Sequence, residues 1–248
     1  MVEPQELKDQ RIQGVFSSQM VEKVGTGTTS RKSVSKTYWY AEEREDGVVL
    51  MRPLNKSHVP SGEAVEVPKE EFLAKYEPEL EFYQQEVYPR MRELEGTLKR
   101  AEEQRAKGAL YSAEFEYDKA LAVDEDNVRA NFGLGLTYMD RGETGKANDI
   151  FGRVVGLDAA FGEEHKHLFN EFGISLRKSG MGQQAVEYYE RALKMTDDDE
   201  NLHYNMARAY YDAGEPDKTR EQLARVLELD PDHEEARKFL DFLDKNKA

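Results

Sequence analysis

The chain has 248 residues, with 50 Asp and Glu against 35 Lys and Arg, for a formal net charge of -15. No cysteine is present, which excludes disulfides, thiol nucleophiles and Cys-ligated metal sites. No apolar run approaches the roughly 20 residues of a membrane helix, and the 13 Tyr and 11 Phe argue against wholesale disorder.

Mean hydropathy is -0.82, which suits thin-cored helical arrays with a large wetted surface. Residues 1–68 hold 9 Lys and Arg against 10 Asp and Glu, so nearly all the negative charge lies in residues 69–248. Such a body repels nucleic acid and anionic lipid at long range and favours basic partners. The start, Met1 to Glu6, has neither a basic nor an apolar signal segment, so a cytoplasmic protein is expected.

Residues 1–12 are polar and are expected to form a disordered tail. Residues 13–68 read as a small antiparallel β unit. Its strands are Val15–Val24, Val34–Glu43 with Tyr38-Trp39-Tyr40, Val48–Leu54 and Ala64–Val67. Glu45-Asp46-Gly47 is the hairpin turn between the second and third. Three or four strands are marginal alone, so the sheet is expected to pack on helices or on another subunit. Residues 69–93 form a connecting helix that opens at Pro68. Leu80, Tyr83, Val87, Met91, Leu94 and Leu98 recur at helical spacing, and Pro89 should kink or restart the helix.

From Leu94 the chain repeats itself. Gly108, Gly142, Gly180 and Gly214 are each followed five positions on by Ala113, Ala147, Ala185 or Thr219. Seven further on stand Ala120, Val154, Ala192 and Val226, with bulky Tyr117, Phe151, Tyr189 and Leu223 between. Seven before each glycine come Ala101, Gly135, Gly173 and Ala207. The glycine permits a tight turn between two helices, and the small residues let those helices approach closely.

This pattern resembles the tetratricopeptide repeat (TPR), a helix–turn–helix unit, over residues 94–127, 128–161, 166–199 and 200–233. The first repeat departs from it, with Arg100 and Gln104 in place of the usual Leu and Tyr, and Asp230-Pro231 closes the last. The resemblance implies a mainly α fold, a TPR α-solenoid, a right-handed superhelix of helix hairpins behind the small N-terminal β unit. Residues 234–246 follow as a capping helix, with Ala236, Phe239, Leu240 and Leu243 on one face.

In this family the first helix of each repeat lines a concave groove. The positions that point there are Arg129, Phe132, Leu136 and Met139, then His167, Asn170, Ile174 and Arg177, then Asn201, Tyr204, Arg208 and Tyr211. Aromatic and arginine side chains dominate binding hot spots. A peptide carboxylate could be held by Asn170, Arg177 and Arg208, with an apolar residue against Phe132 and Leu136. The carboxylate clamp of heat-shock co-chaperones is not matched, because its positions carry Phe132, Leu136, Glu171, Asn201 and Asn205. The residues alone leave open whether the N-terminal region fills this face.

Other segments read as structure. Gly25–Ser30 lacks phosphate-loop spacing and leads into a strand, so nucleotide binding across Gly25–Lys36 is the weakest expectation. His165 and His167 point apart on a helix, and the metal reading is set aside. Asp197–Glu200 and Asp124–Asn127 are expected to cap the helices that follow. No catalytic motif is present, so neither an enzyme nor a bound cofactor or metal is expected. The expected function is a non-catalytic adaptor that binds a peptide or helix of another protein in the groove. The alternative is a homo-oligomer assembled edge to edge through Tyr38, Trp39 and Tyr40. No nucleic-acid partner and no membrane insertion are expected.

Overall fold

The structure is a computed structural model and describes residues 11–24, 31–161, 165–194 and 199–245. The chain divides into two compact units. One comprises residues up to Arg100 together with Lys119–Asn127, and the other comprises Ala101–Asp118 and Val128 onward.

The first unit is built on a sheet. Strands β1 (Gln13–Val24), β2 (Arg31–Glu43), β3 (Val48–Pro53), β4 (Val65–Pro68) and β5 (Glu77–Pro78) lie in the order β4-β3-β2-β1-β5. The pairing is antiparallel throughout, with Phe16 opposite Trp39 and Ala41 opposite Met51. The turn after Arg44 closes as expected, with Gly47 at a φ of 82°. Alternation along a strand sends successive side chains to opposite faces, and here both faces are covered. Phe16, Ala41, Val49 and Met51 pack with Phe72 of α1 (Lys69–Lys75). Val15 and Tyr40 pack with Val87.

Three expectations change here. The polar tail ends earlier than residue 12: Ile12 is buried, and its N–H donates to the Glu43 carboxylate at 2.9 Å. Residues 1–10 lie outside the described residues. The edge-to-edge assembly through Tyr38, Trp39 and Tyr40 loses its edge. β2 is an interior strand, paired with β1 along all three residues and with β3 from Trp39 onward, while Tyr38 O accepts from Leu54 N. The Tyr38 ring is 4.7 Å from that of Phe82. The connecting segment is also not one helix. After α1 and β5 come α2 (Leu80–Phe82), a π-helical turn (Tyr83–Val87) and α3 (Tyr88–Ala106). The wide turn directly precedes Pro89, which has no N–H to continue the ladder.

Within this unit the loop after β3 is tied to the end of α4 (Leu110–Val123). Asn55 donates from Nδ2 to the Val123 carbonyl at 2.9 Å, satisfying an orphan acceptor at the helix end. Its Oδ1 accepts from Ser57 N and Val59 N. Ser61 donates to Asp124 at 2.6 Å. Asp124 therefore serves the loop and Asn127 rather than the N-terminus of the next helix.

The second unit is made of helical hairpins. α5 (Val128–Asp140) pairs with α6 (Thr144–Val155), α7 (Lys166–Lys178) with α8 (Gly182–Leu193), and α9 (Glu200–Asp212) with α10 (Pro216–Leu229). The first helices of successive hairpins meet one another, α5 with α7 and α7 with α9. α11 (Glu234–Lys245) packs Ala236 and Leu243 against Ala207, Leu223 and Val226. Gly108, Gly142, Gly180 and Gly214 have φ between 71° and 77°, the left-handed geometry that turns one helix into the next. Asp199 caps α9 as expected, accepting from Asn201 N and Leu202 N. Asp197 and Asp198 lie outside the described residues.

The helices approach closely where the repeat is small. A Cβ on Gly135 would lie 2.5 Å from the Phe172 ring, and one on Gly173 would lie 2.5 Å from the Tyr189 ring. Tyr117 closes on Gly133 in the same way. Phe132, Phe172 and Tyr188 form an edge-on ring cluster at 5.2 to 6.4 Å.

Two stability predictions follow from this packing. Gly173→Ala forces the buried Tyr189 ring to move and should lower unfolding stability by about 1–3 kcal/mol. Gly152→Ala, which meets open space on α6, should be neutral or slightly stabilising; urea denaturation of both variants checks the contrast. Asn55→Ala leaves the Val123 carbonyl and two loop amides without their partner, and should cost about 1–3 kcal/mol in the same assay.

Candidate functional site

The first helices of the second unit carry arginines: Arg105 on α3, Arg129 on α5, Arg177 on α7 and Arg208 on α9. On so acidic a chain most of them find carboxylates. Arg129 forks onto Glu102, with Nη2 at 2.8 and 3.0 Å from the two oxygens. Arg105 bridges Asp140 at 3.1 Å and Glu171 at 3.0 Å. Arg177 meets Asp212 at 2.6 Å. Arg208 lies over the Tyr204 ring, 6.0 Å from its centroid.

Between α3, α5 and α7 opens a depression of about 510 Å³, lined by Glu102, Arg105, Tyr117, Arg129, Leu136, His165, His167 and Glu171 among others. The two histidines thus reach one hollow, beside two arginines and two carboxylates. Among the described residues no group of three His, Asp or Glu side chains is placed to hold a metal ion. No described helix is long and apolar enough to cross a membrane.

The expected groove residues divide by position. Phe132, Leu136 and Met139 are buried, so the apolar seat assigned to Phe132 and Leu136 is largely core. The physical reason is the ring cluster: Phe132 fills the gap that the small residues open between α5 and α7. Asn170, Ile174, Arg177, Tyr204 and Arg208 are half-buried, and Asn201 and Tyr211 are exposed. Asn170 Oδ1 is buried without a hydrogen-bond donor among the described residues. Arg31 and Lys36, the ends of the charged stretch after the glycine-rich loop, belong to β2, and Lys36 pairs with Glu79. Gly25–Ser30 lies outside the described residues.

Sequence reasoning missed Glu102 and Arg105, because the first repeat departs from the pattern at its first helix. It also missed Phe242. That residue falls nine places into a further repeat counted from Glu234, the same position as Leu136, Ile174 and Arg208, so extending the count would have found it.

Residues 176–241 match the tetratricopeptide repeat family, so this part of the chain carries tetratricopeptide repeats. A crystal structure of MamA is 25% identical, with a TM-score of 0.47 over 59% of this chain and 84% of that one. Residues 41 to the end of MamA from Desulfovibrio magneticus RS-1 give 17% identity and a TM-score of 0.48 over 62% and 85%. A PilF structure from Pseudomonas aeruginosa gives 14% and 0.44 over 58% and 64%. None of the three bears on what this chain binds. No curated protein matches its sequence.

Burial raises the tyrosines beneath this face. It pushes the Tyr117 hydroxyl up to about 12, with the Glu102 carboxylate adding to the effect. Tyr189 rises for the same reason, against the opposing field of Arg177 and Arg208. A phenol raised on folding contributes stability that is full below its unfolded value near 10 and is lost as pH rises through the folded value. Unfolding stability should therefore fall between about pH 10 and 12, by roughly 1.4 kcal/mol per pH unit for Tyr117. Tyr117→Phe should flatten that slope in urea titrations taken across the window.

Proposed function

We propose that this protein is a non-catalytic adaptor whose repeat face holds an extended peptide or helix of a partner protein. The observation that carries the reading is the row of guanidinium groups on successive first helices. Cations gathered on one face of an acidic molecule give directed donors where the rest of the surface repels anions. Asn170, Ile174, Arg177, Asn201, Tyr204, Arg208 and Tyr211 form the working part of that face, and the hollow beside Arg105 and Arg129 extends it. Phe132, Leu136 and Met139 support it from below.

The pairing of three of these arginines gives them fixed geometry rather than spare charge. A bound peptide competes for their remaining N–H donors or displaces a carboxylate, so association should weaken with salt. Rigid helices hold the face ready, which limits the ordering cost on binding.

Affinity capture from the native cell extract tests the reading. The double variant Arg177→Glu, Arg208→Glu should lose captured protein by about tenfold or more, with an unchanged far-ultraviolet circular dichroism spectrum. Capture equal to that of the natural chain would remove this face from the function.

A further inference from the structure

At the far end of the same face, three aromatic rings form a shelf that the repeats alone do not contain. Tyr211 of α9 lies 5.3 Å from Phe239 and 6.0 Å from Phe242 of α11, and the two phenylalanines are 6.4 Å apart. Phe239 is half-buried and packs against the core beneath α11. Tyr211 is 42% exposed and Phe242 is 45% exposed. Single exposed apolar residues are ordinary. Two that share a third ring make a preordered cluster, with Tyr211 edge-on to both phenylalanines. Aromatic clusters contribute large contact area at little conformational cost, which is why they recur at binding hot spots.

The charge beside the shelf selects what sits on it. Arg208 is three residues before Tyr211, one turn away on the same helix face. Three other cations at this end are paired: Arg177 with Asp212 at 2.6 Å, Arg220 with Asp244 at 2.6 Å and Lys238 with Glu234 at 2.7 Å. Among the described residues Arg208 has no carboxylate, although the chain holds 50 Asp and Glu against 35 Lys and Arg. Its guanidinium lies 6.0 Å from the Tyr204 ring centroid, a cation–π distance that leaves its N–H groups to donate. The other end of the row differs, because Arg105 and Arg129 there are held by carboxylates of the chain itself.

We infer that the C-terminal end of the repeat face takes an acidic–aromatic peptide segment. The partner's aromatic side chain stacks on Tyr211 and Phe242, and its neighbouring carboxylate pairs with Arg208. This rests on the adaptor reading and narrows it to one end of the face and one ligand chemistry. The net charge of -15 opposes an acidic segment at long range. That field is screened beyond about 8 Å at physiological salt, so the local guanidinium decides the contact.

Fluorescence polarisation with labelled peptides on the full chain tests the inference at physiological salt. The probes alternate Phe with Asp, Phe with Lys, Ala with Asp, and Phe with Ser. The Phe/Asp probe should bind about tenfold tighter than the other three. Phe242→Ala and Arg208→Gln should each weaken it about tenfold. Phe115→Ala, which removes an exposed ring from α4, and Arg90→Gln, which removes an exposed guanidinium of the first unit, should each leave it within about twofold. Circular dichroism confirms that each variant is folded. Preference for the Phe/Lys probe, or Phe/Asp binding indifferent to Phe242→Ala and Arg208→Gln, overturns the shelf. In that case binding lost on Arg129→Gln keeps the adaptor reading and moves it to the other end. No binding by any probe overturns the shelf inference, while capture from extract judges the adaptor reading separately.

Discussion

The second unit depends on how closely its helices can approach. An aromatic ring occupies the space a Cβ would need at Gly133, Gly135 and Gly173, so the backbone itself forms one wall of the packing. Dispersion contacts fall off steeply with distance, and a ring seated directly on a helix backbone gains them without a void. The same closeness sets the spacing between one first helix and the next. Arg129 and Glu102, or Arg177 and Asp212, come within ion-pair distance across neighbouring helices because the glycines and alanines beneath them bring those helices together.

This spacing explains why the repeat face is ordered rather than merely charged. Exposed ion pairs contribute little to stability, commonly about 0–1 kcal/mol. Their value here is positional. Each paired guanidinium is fixed on a rigid helix, and the carboxylates tune how much charge remains. At the first helices the charge is cancelled within the chain. At α9 an arginine stands beside exposed aromatic rings with no carboxylate of its own among the described residues. A row of hairpins built on one pattern thereby carries different chemistry at its two ends.

The first unit solves a different problem. A small sheet has too little core to stand alone, and this one is covered on both faces by segments that follow it in sequence. Glu43 shows how the boundary is held. Burial alone would raise its carboxyl, yet the Lys69 ammonium and the Ile12 N–H hold it below the ordinary carboxylate range. Asn55 and Ser61 fasten the loop after β3 to the end of α4, where an orphan carbonyl needs a donor.

Periodicity made much of this legible. The glycine turns, the small residues that follow them, the hairpin at Gly47 and the cap at Asp199 are local features, each decided by backbone geometry within a few residues. The groove positions were expected from the family resemblance, and periodicity made only their spacing legible. Burial of Phe132, Leu136 and Met139 was not, because it depends on which rings of the next hairpin come to meet them. Nor was the covering of both faces of the sheet, the interior place of Tyr38–Tyr40, or the carboxylate that each arginine finds. The sequence by itself determined where helices start, stop and turn, because those are short-range constraints. Only the tertiary structure decided which side chains remain free to bind, because freedom depends on neighbours brought from distant parts of the chain.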